Sequence, residues 1–521
     1  MRPLSGLDAG FLYLETPETP MHVGSLCLLE PPAGGKAGYV EAVREHLRAR
    51  LHLAPLLYQR LTLMPLDLGH PVWTDAGEVD LDWHIQHRKL KRGEDVMAVA
   101  AELHAERLDR SRPLWQFTVI EGPKVLALHT KVHHAALDGQ AGVALAQAML
   151  DVSPTPRPVR PPSEKPEAAS PGTRELLGTL FDSTLGQVAK IVKAVPDAVR
   201  LAGQTLAKAP KPTLSALKGL RQRWLAPKTV LNGQIGAERR FGTWRIALPQ
   251  AKAQAAALEA TVNDWLLLLV GGALHRYLSA RGEKPTRSLA AAVPISLREA
   301  GQEAQGNQVT MLPCTLGTHQ RSVRGRLKAI QAQMQGLKDA TREASGLIPT
   351  DFPSLGAPWL IGGLAQLAAK TRIVEQLPLP VNLVVSNVPG PPVPLYLAGA
   401  KITHYYPVSI VVHGLGLNVT VHSYAGELDV GLIAAASAVP DMAPLIEAFD
   451  AEAAAIVAEV LAPLKPTRKP RPAKPASAKP RRVAAPEPAG KAAAPAPAAK
   501  LAQPDPAAPA APRRRRPAAK D

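Results

Sequence analysis

Residues 125–139 read Val125-Leu-Ala-Leu-His-Thr-Lys-Val-His133-His134-Ala-Ala-Leu-Asp138-Gly139, and an apolar run from Ala141 to Leu150 follows. The first part is typical of a buried strand over 125–132 and the run after Gly139 of a helix. The chain turns at Asp138-Gly139. Because adjacent strand side chains point to opposite faces, His133 and His134 are not expected to ligate one metal ion or address one substrate together.

The two histidines have a catalytic and a structural interpretation. A neutral imidazole with a pKa near ~6.5 is suited to taking a proton from an alcohol. Asp138 lies close enough in sequence to orient an imidazole, or to accept hydrogen bonds that lock the loop. Since paired histidines are often structural, the residues alone leave both interpretations open.

The flanking sequence predicts two mixed α+β domains joined by a linker. Residues 1–152 alternate strand-like and helical segments, and so do residues 228–464. Between them, residues 153–171 are rich in Pro and polar side chains, as expected for a loop. Beyond Leu464 the sequence changes to repeated Ala, Pro and Lys/Arg, which bury too little apolar surface to fold. We therefore predict that residues 465–521 are a disordered tail.

The second half of the linker, residues 174–224, predicts a basic amphipathic helix. Its apolar residues recur at a three/four spacing, beside Lys190, Lys193 and Arg200. Two interpretations stay open: a crossing helix packed on the body, or an interfacial helix pressed against anionic lipid. The apolar stripe comprises Leu177, Phe181, Leu185, Val188, Val192 and Val195.

The charge is concentrated in the tail. The 521 residues carry a formal net charge of +17, of which fifteen basic and three acidic residues after Leu464 contribute +12. Binding to a polyanion such as nucleic acid is thus expected only through the tail. The two cysteines, Cys27 and Cys314, lack metal-ligand spacing and indicate a reducing compartment.

The N-terminus resembles no export signal and no run of residues is a convincing membrane span, so we expect a cytoplasmic protein. If its substrates are lipids, it must meet them peripherally, at the inner membrane or a lipid inclusion. Gly-x-Ser-x-Gly, Walker A and His-Glu-x-x-His motifs are missing from the sequence, which disfavours hydrolase, nucleotidase and zincin chemistry.

The segment His133-His134-Ala-Ala-Leu-Asp138-Gly139 resembles the HHxxxDG signature of CoA-dependent acyltransferases and peptide-synthetase condensation domains. An ordered set of further segments between Leu4 and Leu461 resembles one branch, the bacterial wax ester synthase/acyl-CoA:diacylglycerol acyltransferase family. These segments are Leu4-Ser-Gly-Leu-Asp8-Ala-Gly-Phe-Leu, Pro20-Met-His22-Val-Gly24, Pro113-Leu114-Trp115, Asn263-Asp264, Pro294-Ile-Ser296-Leu-Arg298, Gly306-Asn307, Ser386-Asn387-Val-Pro389-Gly390-Pro391 and Gly416 to Gly426.

This resemblance implies two chloramphenicol-acetyltransferase-like sandwich domains with an active-site tunnel between them. It implies a long-chain O-acyltransferase, with acyl-CoA as co-substrate and no permanently bound cofactor or metal. Diacylglycerol or a fatty alcohol would be the acceptor. His134 would be the general base, and Asp138 would anchor the loop or orient that histidine. His133 would pack behind His134 as a supporting residue. Gly139 would permit a close backbone approach or a positive φ.

The remaining family segments have two interpretations each. Asn263 is either an amide donor near the tetrahedral oxyanion or, with Asp264, an ordinary helix N-cap. Pro113, Leu114 and Trp115 line the acyl channel or belong to the core. Ser386, Asn387 and Gly390 shape the tunnel wall or form a structural loop.

Two other functions stay open at this point. One is a condensation-type transferase that takes its acyl group from a carrier protein. The other is a lipid-surface or polyanion-binding protein whose catalytic site is idle. The sequence does not predict the oligomeric state, the acyl chain length or the preferred acceptor.

Overall fold

The computed structural model describes residues 2–461, except 138, 163–167, 169–170, 182–224, 297–308, 345–360, 364–365, 368–370 and 372. The predicted tail therefore lies outside the described residues. The helices are α1 Gly6–Leu14, α2 Tyr39–Arg48, α3 Pro55–Tyr58, α4 Leu81–His84, α5 Val96–Ala105, α6 Gly139–Met149, α7 at 173–181, α8 Leu248–Ala257, α9 Val262–Ala280, α10 Val323–Ala344 and α11 Ala443–Leu461.

Fifteen strands form three sheets in the described part of the chain. The strands are β1 Arg2–Pro3, β2 His22–Glu30, β3 Gln59–Thr62, β4 Val72–Asp75, β5 Ile85–Lys89, β6 Trp115–Glu121, β7 Leu126–His133, β8 Arg239–Ala247, β9 Ala290–Ser296, β10 Val309–Thr315, β11 Leu383–Val388, β12 Tyr396–Leu397, β13 Ala400–Val408, β14 Leu417–Tyr424 and β15 Glu427–Ala435.

Each of the two large sheets is mixed and has six strands. The N-terminal sheet has the order β12-β13-β2-β7-β6-β5, and the C-terminal sheet has the order β10-β9-β11-β14-β15-β8. Strands β5 and β6 run parallel, as does β11 with both β9 and β14, whereas the other pairs of these sheets are antiparallel. A small third sheet has the order β1-β4-β3. The predicted α+β class is confirmed.

Strand β7 lies inside the N-terminal sheet, and all eight of its residues are buried. It pairs with β2 in a register that places His22 opposite His133, and with β6 on its other side. Leu128 and Val132 join the core of the N-terminal half, while Ala127 joins the larger core around α9. Because both faces of the strand are covered, its polar residues are as buried as its apolar ones; the polar ones are His129, Thr130, Lys131 and His133.

Two strands from the C-terminal part of the chain join the N-terminal sheet. Strands β12 and β13 were assigned to the C-terminal domain, but they join the N-terminal sheet, where β13 pairs with β2 from Lys401 opposite Glu30 to Val408 opposite Gly24. Strand β13 thereby covers an edge that β2 would otherwise expose. An alternating pattern predicts a strand and its buried face, but it does not identify the partner strand.

The apolar face that is buried in helix α7 differs from the apolar stripe predicted for the linker. In this helix the side chains of Leu176 and Leu180 are buried against Met64 and Val72, whereas the first two stripe residues, Leu177 and Phe181, are 42% and 67% exposed. The packed face is thus not the predicted stripe, because contacts with the small sheet decide which apolar side chains are covered. The stripe residues from Leu185 to Val195 lie outside the described residues.

Helix α9 is a long apolar helix of the C-terminal half, and most of its side chains are buried. No single helix of the described chain has both the length and the hydropathy that crossing a bilayer requires. Only α8 and α9 reach that threshold, and they do so as a pair bent by 91°.

Candidate active site

The candidate site is the corner where β7 ends. His133 is the last residue of the strand, His134 begins a short 3₁₀ turn that ends at Ala136, and α6 begins at Gly139. The His134 amide donates to the carbonyl of Met21 at 2.8 Å, and the His133 amide donates to that of Leu114 at 2.9 Å. The backbone of both histidines is therefore fixed by neighbouring segments.

The imidazole of His134 is half-buried and stacks on the ring of Phe11, with centroids 3.8 Å apart and an interplanar angle of 14°. Its Nδ1 is sealed from solvent and makes no hydrogen bond to another described residue. Burial lowers the pKa of His134 to about 4; a hydrogen bond with its own backbone opposes this change, and the neighbouring His133 adds to it. The ring is therefore neutral near pH 7 and able to accept a proton.

His133 has a different environment, centred on Glu15. The Nδ1 of His133 accepts a hydrogen bond from the amide of Ala135 at 3.1 Å, which assigns the proton of the neutral ring to Nε2. That Nε2 lies 3.6 Å from Oε1 of Glu15, and the Nε2 of His22 lies 3.5 Å from the same oxygen. His133 thus caps the 3₁₀ turn and faces a carboxylate, which agrees with the supporting role expected of it.

Glu15 connects three segments, although its side chain is only 2% exposed. Its Oε1 accepts from the amide of Met21 at 3.2 Å, and its Oε2 accepts from Arg110 at 2.6 and 3.1 Å. Burial alone would raise the pKa of Glu15, but the nearby imidazoles of His133 and His22 and the positive charge of Arg110 hold it well below its usual range. Glu15 is therefore an ionised carboxylate that fixes the corner.

Further titratable groups lie buried along β7 and α5. The imidazoles of His22, His104 and His129 meet edge to face, with successive centroids 6.1 and 5.6 Å apart. Burial lowers the pKa of His22 to about 4, that of His129 to about 3, and that of Lys131 to about 8. Lys131 donates to the carbonyls of Leu103 and Glu106 at 2.8 and 3.0 Å. The described residues contain no His/Cys/Asp/Glu group that could hold a metal ion.

A cavity of about 220 Å³ adjoins the histidine corner. Ala136 of the 3₁₀ turn lines it, together with Ala141 and Ala144 of α6 and residues from α3 and the small sheet. Most of the lining side chains are apolar or small, as is usual for a site that takes a hydrocarbon group. The remaining lining residues are Arg2, Ala54, Pro55, Leu56, Gln59 and Trp73.

The Pro113-Leu114-Trp115 segment lies in the core of the N-terminal half. Leu114 and Trp115 have no solvent-accessible surface, and Pro113 is buried as well. The indole Nε1 of Trp115 donates to the carbonyl of Leu57 at 3.0 Å, and its ring stacks on His84 at 4.2 Å. A wall of an open channel would retain accessible surface, so this burial favours the core interpretation of the segment, and channel lining stays an untested prediction.

Asn263 and Asp264 lie in the first turn of α9. The helix begins two residues earlier than predicted, because the N-cap is Thr261 and not Asn263. Thr261 and Asp264 form a capping box, in which the carboxylate of Asp264 accepts from the amide and hydroxyl of Thr261 at 3.1 and 2.8 Å. Asn263 is half-buried, and no hydrogen bond or ion pair of the described residues joins it to His134.

The segment from Ser386 to Gly390 closes the end of β11. Ser386 lies opposite Thr420 in the parallel ladder with β14, and Asn387 is exposed. The amide of Gly390 donates to Oγ of Ser423 at 3.1 Å, and a Cβ at this position would collide with the carbonyl oxygen of Ser423. None of the three predicted residues borders the cavity beside Ala136.

Two site residues, Phe11 and Glu15, were not predicted to have a role. Both lie in or next to α1, whose sequence indicated only a family resemblance. Their contacts with the histidines span more than a hundred positions of the chain, and no local pattern encodes such a contact. Of the predicted residues, Gly139 opens α6, and Asp138 lies outside the described residues.

Comparisons with known proteins agree on the family. The wax ester synthase/diacylglycerol acyltransferase catalytic domain matches residues 4–266, and the C-terminal domain of the same family matches residues 305–456. A Mycobacterium tuberculosis protein named as a probable diacylglycerol O-acyltransferase is 32% identical over 451 residues, which cover 84% of this chain and 95% of that protein.

Solved structures agree as well. A wax ester synthase/diacylglycerol acyltransferase from Marinobacter aquaeolei is 27% identical, with a TM-score of 0.62, and the match covers 88% of this chain and 99% of that one. The first condensation domain of a calcium-dependent antibiotic synthetase, at 14% identity and a TM-score of 0.50, shares the fold alone. The HHxxxDG corner, the two mixed sheets and these matches together establish that the chain belongs to the wax ester synthase/diacylglycerol acyltransferase family.

Proposed function

We propose that this protein transfers a long acyl group from acyl-CoA to the hydroxyl of diacylglycerol or of a long-chain alcohol, with His134 as the general base. The observation that carries the proposal is the position of His134. Its half-buried imidazole directly follows a buried strand, stacks on Phe11 and lies two residues from a mainly apolar cavity, and burial lowers its pKa to about 4. A base in this environment is free to accept a proton at neutral pH. The family relationship supports the substrate class.

The proposed reaction has two proton transfers and no covalent enzyme intermediate. His134 takes the proton of the acceptor hydroxyl while the oxygen attacks the thioester carbonyl. The tetrahedral intermediate then collapses, the carbon–sulfur bond breaks, and the imidazolium protonates the departing CoA sulfur. Holding both substrates beside one base converts an encounter of two molecules into a near-unimolecular step, which can lower the barrier by up to about 7–11 kcal/mol.

The cavity next to Ala136 is the proposed position of one hydrocarbon chain. It begins two residues after His134 and is lined mainly by small and apolar side chains. We propose that a tunnel between the two large sheets continues from this corner, with CoA and the acceptor entering from different sides. Ser386, Asn387 and Gly390 remain proposed neighbours of that tunnel, and Asn263 a proposed donor to the oxyanion.

The experiment offers purified protein palmitoyl-CoA with hexadecanol and with dipalmitoylglycerol in parallel, and separates the products by thin-layer chromatography. We expect an ester from at least one acceptor. The His134→Gln variant should lose on the order of 10²- to 10⁴-fold in kcat. Unchanged CoA release by folded His134→Gln protein would refute the role of this base, and activity with an acyl-carrier-protein donor alone would favour the condensation-type alternative.

Contact with a lipid surface is a further part of the proposal. Large apolar side chains are exposed on the loop between β3 and β4, where Leu63 is 60% and Leu66 81% exposed, and on the nearby α7. Exposed leucine at a loop tip suits insertion into a lipid interface. A Leu63→Ser, Leu66→Asn double variant should sediment less with phospholipid vesicles, whereas Leu461→Ser, at a residue 77% exposed, should not. Equal sedimentation of all three proteins would contradict this surface.

A further inference from the structure

One contact of the site joins His134 to Phe11, whose aromatic ring stacks on the imidazole. Phe11 and the imidazole are nearly parallel, with an interplanar angle of 14° and centroids 3.8 Å apart. The Nδ1 atom of the imidazole is sealed from solvent and makes no hydrogen bond to another described residue. The face of the Phe11 ring is thus in direct contact with the imidazole that is proposed to react.

The reaction places a positive charge on this ring. When His134 takes the proton of the acceptor it becomes an imidazolium, and burial disfavours that charged form. In the described residues no carboxylate is paired with His134, because the nearby carboxylate of Glu15 faces His133 and His22 instead. Among the described residues, a group other than a carboxylate is therefore the candidate for stabilising this charge.

The face of an aromatic ring can stabilise a positive charge of this kind. The quadrupole of a phenyl ring attracts a cation lying within about 6 Å of its centroid, and the attraction grows when both partners are desolvated. It is much weaker for a neutral ring, so it stabilises the transition state more than the ground state. The stacking distance of 3.8 Å lies well inside this range.

We propose that Phe11 stabilises the imidazolium form of His134 by a cation–π interaction and holds the ring plane toward the substrates. The proposal rests on the assignment of His134 as the general base. It makes Phe11 a residue that acts on the reacting ring itself, with no proton transfer of its own.

Helix α1 holds Phe11 in place from both ends. At its start, Oγ of Ser5 accepts a hydrogen bond from the amide of Asp8 at 3.2 Å. At its end, Arg110 donates to the carbonyl of Leu12 at 2.7 Å and pairs with Glu15, the C-cap residue. The ring face is therefore positioned before the charge develops, which is the condition under which such an interaction favours the transition state.

The test replaces Phe11 with mono-, di- and trifluorinated phenylalanine in the full-length chain. Fluorine withdraws density from the ring face and weakens cation–π attraction stepwise, with little change of shape. We expect kcat to fall with each added fluorine and to a total on the order of tenfold, while KM changes less than about twofold. Phe11→Leu should show a loss of similar size.

A matched control is the same series at Phe449 of α11, which is fully buried and tilted against Trp244 at 5.9 Å. This series should leave kcat unchanged. A flat response of kcat at Phe11 would overturn the proposal, even if Phe11→Leu is impaired, because a purely structural role is insensitive to ring electronics. Activity of the His134→Gln protein reports separately on the proposed function, so the two failures are distinguishable.

Discussion

The N-terminal and C-terminal halves of the chain each bury a carboxylate, but in different surroundings. At the end of β7 in the N-terminal sheet, the carboxylate of Glu15 faces two imidazoles beside the reacting histidine. In the C-terminal half, the carboxylate of Glu452, 1% exposed, lies between α11, α9 and α10, where Arg276 donates to it at 2.9 Å and Arg326 pairs with it. One buried carboxylate fixes the corner beside the proposed base, and the other joins three helices.

The two buried carboxylates are therefore expected to govern different properties, the reaction rate near β7 and the folding stability around Glu452. Changes near β7 should alter kcat in molecules that remain folded, while changes around Glu452 should alter the free energy of unfolding and leave kcat per folded molecule unchanged. Gly272 of α9 shows how tight the second region is, because a Cβ there would collide with the carboxylate of Glu452.

The largest effect is expected for Glu452→Ala. Removing this carboxylate leaves Arg326, 4% exposed, as a buried unpaired charge, which should reduce the free energy of unfolding by about 3–5 kcal/mol. Urea denaturation measures the loss. Arg276→Ala, at a partner 44% exposed, should cost far less and serves as the control. Equal losses for both variants would show that the helices do not depend on the buried pair.

Glu15→Gln is expected to lower kcat about tenfold, equivalent to ~1.4 kcal/mol, with a smaller change in KM. The isosteric amide replaces one acceptor by a donor, which must then face either the Met21 amide or Arg110. Steady-state kinetics at a temperature where the protein is fully folded measures the effect. Glu452→Gln is the matched control and should change stability alone. The comparison fails if both glutamines reduce kcat equally.

The smallest effect is a pH dependence of stability. His22 and His129 have folded pKa values of about 4 and 3, below the ordinary value near ~6.5. As the pH falls below that ordinary value, the unfolded chain takes up protons that the folded chain refuses, so each histidine should cost about 1 kcal/mol near pH 5.5. Thermal melts between pH 7.5 and 5.5 measure the loss.

A variant in which His129 is replaced by Asn should lose less stability over the same pH interval. An identical pH dependence in this variant would show that the buried imidazole cluster does not govern acid sensitivity. The acid limb of kcat/KM should lie near pH 4, since the pKa of His134 is about 4 in the folded protein.

Local patterns predicted much of the secondary structure. The strand ending at the paired histidines, the helix after Gly139 and the apolar helix of the second half all appear within a few residues of their expected bounds. The family resemblance correctly indicated the fold class and the position of the histidine corner. These features depend on short-range periodicity and on a motif contiguous in the chain.

The features that the sequence alone did not decide share one physical origin. Trp115 and Leu114 were candidates for a channel wall but lie fully in the core, and the stripe that begins at Leu177 is not the packed face of α7. Strand β13 pairs with a strand more than 350 positions earlier, as the pairing of Lys401 with Glu30 shows. Apolar character is visible in sequence, but which side chain is covered depends on distant partners.

By itself, the sequence determined the family, the α+β class and the identity of the candidate base, because the residues that encode them are contiguous or repeat with a short period. Only the tertiary structure decided what surrounds that base. The stack of Phe11 on His134 and the contact of Glu15 with His133 join a helix at the chain's start to a strand end more than a hundred residues later. Such contacts arise from packing, for which no local spacing provides a signal.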